Sequence, residues 1–236
     1  MRFPINDPIL SDFVNIDIPL NNFKSYAKDI EEFLDNRFLE TVVAREGDEE
    51  DEEDEEDEEE NYEGEDDSFI RSLNSFSFFQ GEKYRYGIEF PHIMRTSLFY
   101  TCFAFLENYL IKACKYIRQR KRVDLDISDL RHNGIEKAQV YLKKVAGVNF
   151  PDKSPDWSYI RKCNKVRNLL IHNGGYIDGN NEKQIKEIES IKGIRLNKNF
   201  FENRIILDDT FCLEFIEKMR VFIREVSKEI SPPSPF

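Results

Sequence analysis

The chain of 236 residues has few of the residues and motifs that common metal and cofactor sites require. Its three histidines, His92, His132 and His172, lie 40 residues apart along the sequence. The sequence has no HExxH motif, no EF-hand loop and no Cys/His set with metal-ligand spacing. A glycine-rich phosphate loop followed by Lys and a serine nucleophile elbow are also absent. We therefore expect neither a bound metal nor a cofactor.

Cysteines and long apolar runs are also sparse. The four cysteines, Cys102, Cys114, Cys163 and Cys212, form no CxxC pair. In a helical chain without a secretion signal, they are expected to be reduced core thiols. The stretch MRFPINDPIL lacks the apolar run of a signal peptide, and the most apolar segment, residues 98–106, is far shorter than the roughly 20 residues that span a bilayer. These features predict a soluble cytoplasmic protein with no membrane partner.

Negative charge is concentrated in one segment. The formal net charge is −12, yet residues 46–67 hold 18 acidic residues and no Lys or Arg. The rest of the chain has 28 acidic and 34 basic residues, a net charge of +6, which is compatible with a phosphate-bearing partner. Because the acidic run repels itself and cannot bury apolar area, we expect a disordered loop. It is either a solubilising spacer or a polyanion that competes with nucleic acid or docks on a basic partner.

Apolar residues recur at three- and four-residue steps through most of the chain, which predicts a mainly α fold. The short connections favour an antiparallel helical bundle. Two segments of alternating residues predict a small β-hairpin near residues 193–210. The predicted helices cover approximately residues 19–44, 90–120, 135–146, 157–172, 182–191 and 210–230.

Four segments follow from these patterns. An N-terminal arm and helix occupy residues 1–45, and the acidic loop occupies residues 46–68. The helical domain then covers residues 69–230, and a short tail covers residues 231–236. Any chemistry is expected in the helical domain, because it carries Arg167, Asn168 and His172.

Polar residues gather where the predicted 157–172 helix ends. The segment KVRNLLIHNGGYI carries Arg167, Asn168 and His172, followed by an Asn-Gly-Gly sequence that is typical of a helix stop. Asn168 and His172 are four residues apart and share a helix face. Arg167 and His172 are five apart, or about 140° around a regular helix, and so do not form one stripe. The length of Arg167 and the glycine stop still allow both side chains to reach one cleft.

An arginine and a histidine can together cleave RNA without a metal. A histidine accepts or donates a proton near neutral pH, and an arginine binds phosphate oxygens through two parallel hydrogen bonds. A base would take the proton of the ribose 2′-hydroxyl, which attacks the adjacent phosphorus, and an acid would protonate the leaving 5′-oxygen. The arginine would offset the charge on the phosphoryl oxygens. The reaction moves two protons, and two helix ends at a twofold axis would supply two histidines.

The same residues also have an ordinary structural interpretation. A histidine in the last turn and an Asn-Gly-Gly stop are common at helix C-termini, where the helix dipole favours a cation. On spacing alone, this interpretation is favoured over a catalytic site.

The segment VRNLLIHNGG resembles the signature of HEPN-domain proteins, a superfamily of helical ribonucleases from toxin–antitoxin, abortive-infection and other defence systems. The family motif has an Arg, a polar residue that is often Asn, and a His after four to six residues, at the end of a core helix. Arg167, Asn168 and His172 fit the four-residue form, and Asn173 with the following glycine also resembles the family. The segment LFYTCFAFLENYLIKACKYI resembles the long family helix that carries an acidic residue, here Glu107.

This resemblance covers about residues 90–230 and implies a HEPN-like helical bundle. It implies a homodimer through the Arg167/His172 helix and a metal-independent endoribonuclease with RNA as its substrate. Arg167 and His172 would be the catalytic pair. Asn168 would orient His172 or contact phosphate, Asn173 would support the site, and Glu107 would hold Arg167 in place. Glu107 is alternatively an ordinary surface or helix-pair charge.

Two features depart from the family pattern. Toxins silenced by nucleotidyltransferase antitoxins often carry a Tyr two residues after the His, whereas Tyr176 follows His172 by four. Tyr176 is therefore assigned only as a supporting residue that could face the groove. The N-terminal helix and the acidic run are not part of the family core.

Two other functions are compatible with the sequence. Some family members lack activity, so the chain is alternatively a non-catalytic HEPN-like dimer that binds RNA or a partner protein. It could also be one part of an operon-encoded complex whose chemistry lies in its neighbour. If the chain is a toxin or part of such a complex, an antitoxin or an operon partner protein is a possible binding partner.

Overall fold

The structure is a computed structural model that describes residues 15–55, 80–131, 133–198 and 202–231, with residues 44–55 and 202 described by their backbone alone. The described chain is mainly helical, as predicted. Its α-helices are α1 (Asp17–Glu55), α2 (Phe90–Lys121), α3 (Gly134–Val140), α4 (Pro155–His172), α5 (Glu182–Glu189) and α6 (Phe211–Ile230). Two π-helical turns, Arg85–Glu89 and Tyr141–Val145, precede α2 and follow α3, and a 3₁₀ turn spans Ile127–Asp129.

One small antiparallel sheet accompanies the helices. Its strands are β1 (Tyr176–Asp178), β2 (Ile194–Lys198) and β3 (Glu202–Leu207), in the spatial order β1-β3-β2. Strands β2 and β3 are the hairpin predicted near residues 193–210, and that prediction is confirmed. Strand β1 was not predicted, because three residues are too short to show an alternating pattern. It pairs with β3 and thereby ties the end of α4 to the hairpin.

The chain divides into two compact units. The first, here called the helical body, comprises Met1–Ala27 and Thr96–Phe236, and the second comprises Lys28–Arg95. In the second unit, Arg95 Nη2 lies 2.5 Å from Glu31 Oε2, and the Arg37 guanidinium lies 5.1 Å from the centre of the Tyr86 ring. The candidate site residues all belong to the helical body.

Aromatic side chains fill the core of the helical body. Phe99 and Phe103 of α2 pack against Phe215 of α6, with ring centres 5.0 and 5.9 Å apart. Trp157 of α4 stacks on Phe222 of α6 at 5.0 Å. These contacts join three long helices in a bundle, because each buries an apolar face against the others. The four cysteines are buried thiols outside any disulfide of the described residues, in agreement with their prediction as core thiols.

The structure differs from the sequence-based expectations at the end of α1. The helix continues to Glu55, beyond the predicted end near residue 44 and through the first part of the acidic run. Glutamate has a helix propensity close to that of the best helix formers, so the backbone can remain helical where like charges predicted a loop. The remaining part of the predicted acidic loop, residues 56–68, lies outside the described residues. So do the predicted arm at residues 1–14 and the tail at residues 232–236.

Of the helices in the described part of the chain, none combines the length and the apolar character needed to cross a membrane.

Candidate functional site

Helix α4 carries the candidate catalytic residues, and local interactions fix its two ends. The Ser154 hydroxyl accepts a hydrogen bond from the backbone N–H of Trp157 at 3.1 Å, which caps the first turn. Pro155 occupies the first helical turn, where proline is tolerated. The buried face of α4 consists of Trp157, Ile160, Cys163, Val166 and Leu170. Arg167 follows Val166 directly, so its side chain begins at the edge of the buried face.

Arg167 lies between α4 and α2. Its Nη2 atom is 3.8 Å from Oε2 of Glu107, and its guanidinium carbon is 5.7 Å from the centre of the Phe103 ring. The Arg167 Nη1–H group donates a hydrogen bond of 3.1 Å to Oδ1 of Asn168. At this distance, Arg167 and Glu107 form an ion pair and not a hydrogen bond. The contacts orient the guanidinium while leaving most of its five N–H donors available to an anionic ligand.

The Arg167–Glu107 pair is partly shielded from water. The side chains of Arg167 and Glu107 are 29% and 22% exposed, respectively. Partial burial weakens solvent screening, so the interaction is stronger than that of a fully exposed pair. The nearby Tyr100 phenol has a pKa above its ordinary value because it is desolvated, and the positive charge of Arg167 opposes this shift. Arg167 therefore affects the electrostatics of this region of α2.

Gly134, at the start of α3, leaves room for the Glu107 carboxylate. Its φ angle is +53°, and a Cβ atom on it would lie 2.8 Å from Oε1 of Glu107. Only glycine combines this backbone conformation with such a close approach at little cost. Glu107 thus has Arg167 near one carboxylate oxygen and the backbone of α3 near the other.

His172 lies in the last turn of α4, immediately before the helix stop. The N–H groups of Asn173 and Gly175 both donate to the carbonyl oxygen of Leu169, at 2.9 and 3.1 Å. Gly174 and Gly175 have φ angles of +62° and +82°, so the chain reverses in the left-handed region, as the sequence predicted. The His172 side chain is exposed and forms no hydrogen bond or ion pair with the other described residues. Its imidazole can therefore be reached by a ligand.

Asn173 and Tyr176 lead from the helix stop into the sheet. The Asn173 carbonyl accepts a hydrogen bond of 3.1 Å from the N–H of Tyr176. The exposed Tyr176 ring lies 5.8 Å from the guanidinium carbon of Arg204, its partner in β3. Tyr176 therefore contacts Arg204 on the sheet and not Arg167.

The structure brings together three of the six candidate residues directly. Arg167 contacts both Asn168 and Glu107 and thereby links them. His172 lies five residues further along α4. Five residues correspond to about 7.5 Å along a helix axis. One chain therefore presents a restrained arginine and an exposed histidine near the same end of α4, without contact between them. A ligand the size of a nucleotide could span this interval.

The sequence shows some neighbours of the candidate residues and not others. Tyr100, Phe103 and Glu107 recur at steps of three and four, so their common helix face was visible in the sequence. The role of Gly134 was not visible, because its contact with Glu107 depends on how α3 packs against α2. Arg204 gave no signal either, since the pairing of β1 with β3 joins distant segments.

Among the residues that the structure describes, no group of three or more His, Cys, Asp or Glu side chains is arranged to hold a metal ion. Comparisons with models of known protein families, with curated proteins and with solved structures find no match to this chain.

Proposed function

We propose that this protein is a metal-independent endoribonuclease of HEPN type that acts in the cytoplasm as a toxin or antiviral-defence effector. The observation that carries the proposal is the position of Arg167 on α4. Its side chain lies 3.8 Å from Glu107 and donates a hydrogen bond to the Asn168 side chain, and the last turn of the same helix exposes His172. A restrained cation and an accessible imidazole are the two groups that cleavage through the ribose 2′-hydroxyl requires.

In the proposed reaction, a neutral His172 takes the proton of the ribose 2′-hydroxyl. The 2′-oxygen then attacks the adjacent phosphorus, and the bond from phosphorus to the 5′-oxygen breaks. A protonated imidazole donates its proton to that oxygen, which leaves as a 5′-hydroxyl. The products are a 2′,3′-cyclic phosphate and a 5′-hydroxyl end. Arg167 stabilises the negative charge that grows on the phosphoryl oxygens, and Asn168 and Glu107 keep its guanidinium oriented.

The two proton transfers favour a homodimer through α4. One His172 can act as the base and the His172 of a second copy as the acid, with two Arg167 side chains along the groove. Ile171 is 45% exposed directly before His172, and it offers apolar area to such an interface. Light scattering of the purified protein measures this state directly, and a dimer is expected.

Cleavage of labelled single-stranded or transfer RNA in the presence of a chelator tests the function. The parent protein is expected to release fragments with 5′-hydroxyl and 2′,3′-cyclic phosphate ends. His172→Ala should lower the cleavage rate by about 100-fold or more, the range of general acid–base catalysis. Arg167→Ala should also lower it by about 100-fold or more, the range for loss of one group that stabilises transition-state charge. An RNA with a 2′-deoxy nucleotide at the cleavage position should remain uncut, because it lacks the attacking oxygen.

Arg161→Ala is the matched control, since Arg161 is an exposed arginine on the same helix. It should cleave at the parent rate. If His172→Ala cleaves as fast as the parent, the catalytic assignment is wrong. Binding of RNA without turnover by the parent would instead favour the non-catalytic dimer.

A further inference from the structure

A surface cavity of about 560 Å³ opens beside Glu107 in the helical body. We call it the α2–α3 cavity, because α2 forms one wall and the 3₁₀ turn with the start of α3 forms the other. Its volume lies within the range of about 300–1,000 Å³ that is usual for small-molecule sites. The α2 wall is a stripe at helical spacing, formed by Ala104, Glu107, Asn108, Ile111 and Lys115.

The two carboxylates of the α2–α3 cavity already have partners within the chain. Oδ1 of Asp126 accepts hydrogen bonds from the N–H and hydroxyl groups of Ser128 at 2.9 and 2.8 Å, and Oδ2 pairs with Arg118. The bonds from Ser128 hold the pKa of Asp126 below its ordinary value. Glu107 pairs with Arg167. Both negative charges are therefore balanced by neighbouring groups.

The two lysines of the cavity, unlike its two carboxylates, have no close ion-pair partner among the described residues. Lys115 on α2 and Lys137 on α3 both line the cavity, and neither side chain forms a hydrogen bond or a close ion pair with another described residue. Lys115 only contributes a longer-range attraction to Asp126. The charge that the cavity offers to a ligand is therefore positive. Ammonium groups are strong hydrogen-bond donors to phosphate oxygens.

The remaining lining suits a flat ring with polar edges. Ala104 and Ile111 line the cavity with exposed aliphatic surface, and Ile111 is 37% exposed. The exposed Asn108 side chain provides both a donor and an acceptor, as an edge of a nucleobase requires. Two ammonium groups, an aliphatic surface and one amide together match the phosphate, ring face and ring edge of a nucleotide.

We propose that the α2–α3 cavity is a subsite that binds one nucleotide of an RNA strand, with its phosphate on Lys115 and Lys137 and its base against Ile111. The assignment to RNA rests on the proposed ribonuclease function. Glu107 links the two places, because it lines the cavity and also pairs with Arg167. A strand seated in the cavity would therefore continue past the guanidinium that acts on the scissile phosphate.

Calorimetric titration of the full chain tests the subsite separately from cleavage. The probes are adenosine monophosphate and a 2′-O-methyl RNA oligonucleotide, which cannot be cut because its 2′-oxygens are blocked. The Lys115→Ala/Lys137→Ala double variant should bind both probes at least about tenfold more weakly than the parent. The oligonucleotide should also displace the mononucleotide from the parent. Lys183→Ala/Lys228→Ala is the control, because it removes the same charge from two exposed lysines elsewhere.

Each failure has a distinct outcome. Equal binding by the parent and the Lys115→Ala/Lys137→Ala variant, or no mononucleotide binding by the parent, would overturn the subsite. Mononucleotide binding that the oligonucleotide does not displace would also overturn it, since the ligand would then be a free nucleotide. Lysine-dependent binding of both probes without RNA cleavage would refute the nuclease and leave the subsite standing. RNA cleavage by the Lys115→Ala/Lys137→Ala variant with an unchanged KM would refute the subsite and leave the nuclease standing.

Discussion

Arg167 Nη2 and Glu107 Oε2 lie 3.8 Å apart, although 60 residues separate them in the sequence. The pair joins the helix that carries His172 to the long helix α2. Since both side chains are only partly exposed, they restrain each other more than two surface charges would. This relationship is the basis for interpreting Glu107 as a positioning residue of the proposed nuclease rather than an isolated surface charge.

Replacing Glu107 by glutamine tests that interpretation. Glu107→Gln keeps the shape of the side chain but removes the charge that orients Arg167. We expect kcat for RNA cleavage to fall about tenfold, which corresponds to about 1.4 kcal/mol of transition-state stabilisation. The free energy of unfolding should change by less than about 1 kcal/mol, because the ion pair is partly solvated. Steady-state kinetics with labelled RNA and urea unfolding measure the two effects.

Glu136→Gln is the control for Glu107→Gln, since Glu136 is exposed in the first turn of α3. It should leave kcat unchanged. An unchanged kcat in Glu107→Gln itself would assign Glu107 to the surface-charge alternative.

Replacing Gly134 by alanine should disturb the Glu107 carboxylate from its other side. The new Cβ atom would meet Oε1 of Glu107 at 2.8 Å, and the backbone has a φ angle of +53°. Gly147→Ala is a matched control, because Gly147 has a φ angle of +60° but no atom within 4 Å of the new Cβ. The backbone strain of about 1–2 kcal/mol is common to both variants. Urea unfolding should therefore show a larger loss of stability for Gly134→Ala.

The cleavage rate separates the two glycine variants further. Gly134→Ala should slow cleavage, because displacement of Glu107 changes the position of Arg167, whereas Gly147→Ala should cleave at the parent rate. Equal stabilities and equal rates in the two variants would show that Gly134 does not constrain Glu107.

The stability of the helical body should fall in acid, in part through Glu217. Lys24 donates a hydrogen bond of 2.7 Å to Glu217, and this bond holds the pKa of the Glu217 carboxyl below its ordinary value. A lowered pKa in the folded state stabilises the fold above the unfolded-state pKa of about 4.3. That contribution is lost as the pH falls through the folded-state pKa, because the unfolded chain binds the proton more tightly.

Urea midpoints measured between about pH 6 and pH 3 test the role of Glu217, since the unfolded-state pKa of glutamate, about 4.3, lies in this interval. Glu217→Gln should show a shallower loss of stability than the parent. Glu182→Gln should follow the parent curve, because Glu182 is 81% exposed in an i,i+4 pair with Lys186. Parallel curves for Glu217→Gln and the parent would contradict the prediction.

Local signals explain which parts of the fold could be predicted. Helices α2, α4 and α6 begin and end within about two residues of their predicted bounds. Apolar periodicity marks the extent of each helix, and the Ser154 cap and the glycine stop mark the ends of α4, so these bounds depend on nearby residues alone. The predicted end of α1 near residue 44 is too early, because the helix propensity of glutamate outweighs charge repulsion as far as Glu55. Strand β1 was missed because its three residues are defined by pairing with β3 and not by their own pattern.

The candidate site was predictable only in part. The resemblance to HEPN proteins suggested that Glu107 holds Arg167, and the structure places the two side chains together. Spacing on α4 also indicated that Arg167 and His172 would not form one stripe. The approach of Gly134 to Glu107 and the cavity beside it depend on the packing of α2 against α3. No local pattern encodes that packing, so these features required the structure.

The acidic run is expected to inhibit RNA binding by electrostatic competition. Deleting residues 46–67 removes 18 negative charges, so RNA should bind more tightly to the remaining basic chain and cleavage should accelerate. The deletion also shortens α1, which continues to Glu55. A second variant with every Asp and Glu of the run changed to Asn and Gln keeps the length and removes only the charge.

Both variants should bind RNA more tightly than the parent at low salt, and the difference should shrink as salt screens the charges over about 8–10 Å. Filter binding or fluorescence anisotropy across a salt series measures this. A gain in the deletion alone would point to chain length rather than charge. Equal affinities of all three proteins at low salt, where electrostatic competition is strongest, would identify the run as a solubilising spacer.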